Sequence, residues 1–222
     1  MKLTSALASF VFLGISSASA SAATFIQPPD LNPGDLFRII FVTSTTRDAT
    51  STNIADYDTF VNNTANANGS ALQGLGLNWL SVASVTGTSA VSRLGNNANI
   101  PIYRPDGVRF ANSLQQLWQV IYLTSLSINE QGNSQSGLVW TGTTFTGGAS
   151  GTKALGSARP ETGSSSTSAG AQWIQFQDRS SDTLLSLYGI SDPTSIATPE
   201  PASFGLILFG AAAIIGFSRR KR

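Results

Sequence analysis

From about Thr24 to Ser191 the chain is dense in Ser, Thr, Asn and Gly and poor in Lys and Glu. Such a stretch lacks the residues that build long surface helices and favours strands joined by ordered loops. Two absences narrow it further, because the sequence contains no cysteine and no histidine. Disulfides, thiol nucleophiles, Cys/His zinc sites, imidazole bases and every Ser-His-Asp arrangement are therefore excluded.

The flanks of this stretch have a different character. Met1-Lys2, an apolar run from Leu3 to Ile15 and small residues from Ser16 to Ala23 have the shape of a secretory signal, read as residues 1–22. Two small-x-small sites place the mature start at Ser21 or Ala23. At the other flank Pro199-Glu200-Pro201 leads into an apolar run from Ala202 to Phe217, followed by Ser218 and Arg219-Arg220-Lys221-Arg222. The run reads as a membrane-spanning helix over about 202–218, with its basic end on the cytoplasmic side. Residues 23–191 are then expected as one domain outside the cytoplasm, and 192–198 as a linker lifting it from the inner membrane.

Within the domain, Leu36–Val42 reads as a central strand, apolar on both faces except at Arg38. Ile54, Tyr57, Phe60 and Val61 recur at helical spacing within Asn53–Ala65, and Asp56 and Asp58 suit a helix N-terminus. Further strands are expected at Leu77–Ala83, around Ile102-Tyr103 and Val108–Phe110, and at Leu138–Thr141, Gln172–Phe176 and Leu184–Tyr188. One or two helical turns are expected over Leu114–Val120, and a long loop region over Gly142–Ala171. No repeat and no βαβ alternation is visible, so the fold class is α+β without a parallel sheet.

Charge separates the parts. The whole chain carries a formal +1, yet the export and sorting segments hold Lys2, Glu200 and the four terminal cations. In the domain eight basic residues stand against eleven acidic ones, a net charge of −3. Nothing here makes a footprint for nucleic acid.

Carboxylates are the remaining general acid/base groups: Asp56/Asp58, Asp106/Glu130, Asp178/Asp182 and Glu161. No pair frames a cleft in the sequence, and Lys153, the only lysine of the mature domain, lies in no Ser-x-x-Lys arrangement. No catalytic residue is therefore assigned, and the domain is expected not to be an enzyme. Calcium is the one cofactor the residues leave open, through Asp106, Asn129, Glu130, Asn133 and Asp178 if their loops converge; no Asp-x-Asp-x-Asp-Gly loop is present and no metal ligand is assigned. For sugar stacking, Trp118, Trp140 and Trp173 are candidates, with core packing as the competing use. The candidate ligand-binding set is Trp140, Trp173, Asp106, Asn129 and Glu130.

Two resemblances add to this. The ordered elements Pro199, Glu200, Pro201, Ala202, the apolar run and Arg219, Arg220, Lys221, Arg222 resemble the PEP-CTERM sorting signal of Gram-negative bacteria. That resemblance implies insertion in the inner membrane, processing by an exosortase-type enzyme, and a destination at the cell surface or in an exopolysaccharide matrix. In the domain, Phe41–Thr46, Ala55-Asp56, Pro105-Asp106-Gly107, Asn129–Gly132, Val139–Thr143, Trp173 and Leu187-Tyr188 resemble a family of bacterial secreted domains with a C-type-lectin-like fold. It implies pairing of the first and last strands, with both termini at one end. Relatives often carry cysteines where Thr59 and Gly189 stand, and the Glu-Pro-Asn, Gln-Pro-Asp and Trp-Asn-Asp sugar-binding motifs are absent. The resemblance thus implies a fold rather than lectin activity. Three functions follow in order: a structural or interaction module of the envelope or matrix, a carbohydrate-binding module using Gly142–Ala171, and a glycan-active enzyme using carboxylates.

Overall fold

A computed structural model describes residues 24–197. The expected signal peptide at 1–22, the expected spanning helix at about 202–218 and the sorting residues Pro199 to Arg222 lie outside the described residues. Among the described residues no helix is long and apolar enough to cross a membrane.

The fold mixes one nine-stranded sheet with three helices. Strand β1 (Leu36–Val42) is central as its composition requires, with every residue after Leu36 buried. Its neighbours are β3 (Ile102–Tyr103), running parallel, and β8 (Ser186–Ser191), running antiparallel; β4 (Arg109–Ala111) extends the sheet beyond β3. On the far side of β8 lie β5 (Leu138–Trp140), β6 (Glu161–Ser164) and β7 (Gln177–Asp178). Strand β2 (Trp79–Ser81) pairs β8, and β9 (Thr194–Ser195) pairs the start of β1. First and last strands therefore meet, as expected.

Alternation along β1 feeds two cores. Phe37, Ile39 and Phe41 face the cluster that contains Tyr57, Val61 and Ala65 of helix α1 (Ile54–Ala65). Ile40 and Val42 face the other cluster, with helices α2 (Ala90–Leu94) and α3 (Leu114–Trp118). Helix α1 begins where predicted, and the Asn53 side chain accepts the Ala55 N–H as its cap. Its approach to the sheet depends on Gly189, where a Cβ would lie 2.5 Å from both Val61 and Phe41. Gly189→Ala is expected to cost about 1–3 kcal/mol through overpacking, read as a lower urea midpoint. Thr59 is exposed while Gly189 is buried, so these two positions do not face each other.

Several expectations need correction. The sheet is mixed, since β1–β3 and β5–β8 run parallel. The stretch Gln172–Phe176 is not a strand: a 3-10 turn over Ala171–Trp173 sends the consecutive residues Trp173 and Ile174 into one core, which strand alternation would forbid. The loop region Gly142–Ala171 contains β6, a strand whose Glu-Thr-Gly-Ser sequence carries no apolar period and which is held by backbone pairing to β5. The last core strand begins at Ser186 rather than Leu184, which is 63 % exposed. Strand β2 is shorter than Leu77–Ala83, and α2 was not foreseen. The stretch read as a linker from Asp192 starts inside the sheet, because Thr194 and Ser195 pair with Phe37 and Leu36.

Candidate functional site

The three tryptophans considered for stacking have other work. Trp140 is fully buried, and its indole N–H donates to the Arg47 carbonyl at 3.1 Å and the Thr183 carbonyl at 3.3 Å. Trp173 is fully buried among Phe110, Trp118, Tyr122 and Tyr188. Trp118 is 5 % exposed and donates to the Gly95 carbonyl. None of the three offers a ring face to a sugar. Aromatic mass in a small domain went to the core.

The polar candidates are separately employed. Asp106 accepts from Arg104 Nε at 3.1 Å and Nη2 at 2.5 Å, and this pair closes the turn between β3 and β4. Asn129 Oδ1 accepts the N–H groups of Gln131 and Asn133 at 3.0 and 2.9 Å, forming a local turn. Glu130 is 2 % exposed; its carboxylate accepts the Ser44 N–H and hydroxyl, and its carbonyl accepts the Ala71 N–H. These are structural ties between loops. Among the described residues no three acidic side chains gather in a group that could hold a metal ion.

Asp58 shows the same pattern. It accepts from the Ser81 N–H and hydroxyl and from Arg93 Nη2, joining α1, β2 and α2. Arg93 also donates to the carbonyls of Ser81 and Ala83. Sequence spacing could not pair residues 58 and 93, which meet only through the fold.

Two exposed aromatics and one charged cluster remain. Phe145 and Phe176 are each 46 % exposed. Phe145 N–H donates to Gln175 Oε1 at 3.0 Å, which ties its turn to the residue before Phe176. Asp178 on β7 pairs with Arg159 at 2.6 Å and Lys153 at 3.0 Å. Glu161 stands opposite Asp178 in the β6–β7 register, is 4 % exposed, and receives a long 3.5 Å bond from Ser150 Oγ. A lone Phe within Thr144-Phe145-Thr146-Gly147-Gly148 was the sequence signal for the exposed Phe145: an apolar side chain with no apolar partner in its own loop.

The two carboxyls are pushed in opposite directions. Hydrogen bonds from Arg159 and Lys153 bring Asp178 down to about 2, whereas burial raises Glu161 above its ordinary 4.5. Asp178 therefore contributes stability above pH 3.8 and loses it as pH falls towards 2. Glu161 opposes folding once ionised, so its penalty is absent below pH 4.5 and grows as pH rises through its folded value. Thermal midpoints between pH 2 and 7 should show Asp178→Asn removing part of the acid-side loss, and Glu161→Gln removing part of the loss above pH 4.5.

Comparison with known proteins bears on one end of the chain. Residues 197–222 match the PEP-CTERM protein-sorting motif. That motif marks the chain as an exosortase substrate, exported and carrying a C-terminal anchoring and processing signal. No curated protein matches the chain.

Proposed function

We propose that this is an envelope or exopolysaccharide-matrix protein whose domain is a non-catalytic structural and interaction module. The observation that carries the reading is the sorting motif at residues 197–222, which follows directly on a folded domain whose last strand pairs with its first. A cargo delivered to the cell surface needs a stable body and a displayed face. The site chemistry supports display over reaction: Asp58, Asp106, Asn129 and Glu130 are each spent on hydrogen bonds that hold loops. The pairing of β1 with β8 and β9 also supports the C-type-lectin-like reading of the domain.

A second reading, carbohydrate binding, is favoured by the exposed rings of Phe145 and Phe176, within and beside the Gly142–Ala171 region. Aromatic faces flanked by amide and charged groups suit a sugar ring. Glycan-array binding of the exported protein, with and without calcium, separates the two readings. No signal in either condition supports the interaction module. A signal lost in Phe145→Ala and Phe176→Ala, with unchanged thermal midpoint, establishes the carbohydrate reading instead.

A further inference from the structure

Both ends of the described chain meet at one end of the sheet. Ser195 pairs with Leu36, and Ile196 exchanges backbone hydrogen bonds with Gly34 and Asp35. Phe25, next to the first described residue, stacks on Phe37 with ring centroids 6.2 Å apart. A cavity of 320 Å³ opens at this place, lined by Phe25, Phe37, Leu75, Leu77 and Ile196 among others. Gln27, which also lines the cavity, is exposed.

Leu75 is presented in an unusual way. It stands between Gly74 and Gly76, whose φ angles of 83° and 67° are left-handed, and a Cβ at either glycine would meet nothing within 4 Å. The turn therefore carries one leucine, 37 % exposed, at a tip with open space on both sides. Single exposed leucines need no explanation. A cavity with aromatic and aliphatic walls and a leucine-tipped turn, at the point where the chain leaves the domain, is a different matter.

Chain length then sets the distance to a membrane. Ala197 is the last described residue, and the apolar run begins at Ala202. The residues between can span at most about 17 Å even when fully extended. The headgroup layer on one side of a bilayer is itself about 5–7 Å deep. A chain anchored through residues 202–218 thus cannot lift this end of the domain far from the lipid surface.

We propose that in the anchored, unprocessed protein this face, Phe25, Leu75, Leu77 and Ile196, rests on the lipid headgroup layer, with Leu75 as the inserting side chain. Asp35 and Asp192 border the face, so the contact is apolar rather than a charge attraction to anionic lipid. The inference rests on the anchoring reading above. Release of the domain from its anchor would free the face from lipid.

The absence of cysteine makes the test direct. The full chain carrying Leu75→Cys, or Gln27→Cys as a second site, is labelled with an environment-sensitive fluorophore. It is reconstituted into vesicles of phosphatidylethanolamine and phosphatidylglycerol that contain a doxyl-labelled lipid. Leu184→Cys, a 63 % exposed position away from this end, is the control. The expected result is a blue shift and loss of emission to the doxyl lipid at residues 75 and 27, and neither at 184. A chain that floats with the vesicles while its residue 75 and 27 labels stay water-like overturns the face but leaves the anchor. A blue shift without doxyl quenching means that protein covers the face and also overturns the proposal. A chain that does not float overturns the anchor and the face together.

Discussion

Trp173→Ala is expected to lower the unfolding free energy by about 3–5 kcal/mol, the cost of removing a buried aromatic and leaving its cavity. Trp173 is fully buried and its ring centre lies 5.8–6.4 Å from those of Phe110, Trp118, Tyr122 and Tyr188. Its carbonyl also accepts the buried Tyr188 hydroxyl at 2.9 Å, which fixes the 3-10 turn against β8. The indole N–H has no hydrogen-bond partner among the described residues. Trp173→Phe should therefore cost clearly less than Trp173→Ala, because it removes an unsatisfied buried donor along with part of the ring. Urea unfolding followed by far-UV circular dichroism measures both. A Trp173→Ala variant as stable as the parent, with altered ligand binding, would return this residue to the role of an exposed platform.

The second large effect is on sorting. Replacing Pro199, Glu200 and Pro201 together by alanine should leave the chain unprocessed and retained in the membrane fraction. The apolar run and the Arg219–Arg222 cluster remain, so export and insertion are kept while the processing signal is lost. Neutralising Arg219, Arg220, Lys221 and Arg222 should act differently, by removing the positive charge that holds the C-terminus on the cytoplasmic side. Fractionation of the native host with immunodetection of the domain reads both, as a shift from released to membrane-bound protein in the first variant.

Where local chemistry decides an element, the sequence was legible. Seven successive residues with one interruption specify β1, and Asn53 with Tyr57 and Val61 specifies α1. The sorting motif was legible for the same reason, since its parts lie in order along the chain. What escaped depends on contacts distant in sequence. Strand β6 has no apolar pattern of its own and exists through its ladder to β5 and β7. The turn at Trp173 reads as alternation until its two buried neighbours are placed in one core. Glu130 and Asn129 look like ligand donors because sequence cannot reveal that Ser44 and the Asn133 turn already occupy them. Phe145 and Phe176 lie in no apolar pattern, and only their exposure in the fold sets them apart from core rings.

Mass spectrometry of the C-terminus, on protein recovered from the native host, tests the sorting account most directly. A mature chain that ends near Pro199-Glu200-Pro201, without the apolar run and the basic cluster, is the expected species in the envelope or the medium. A full-length chain ending at Arg222 and held in the inner membrane would contradict it.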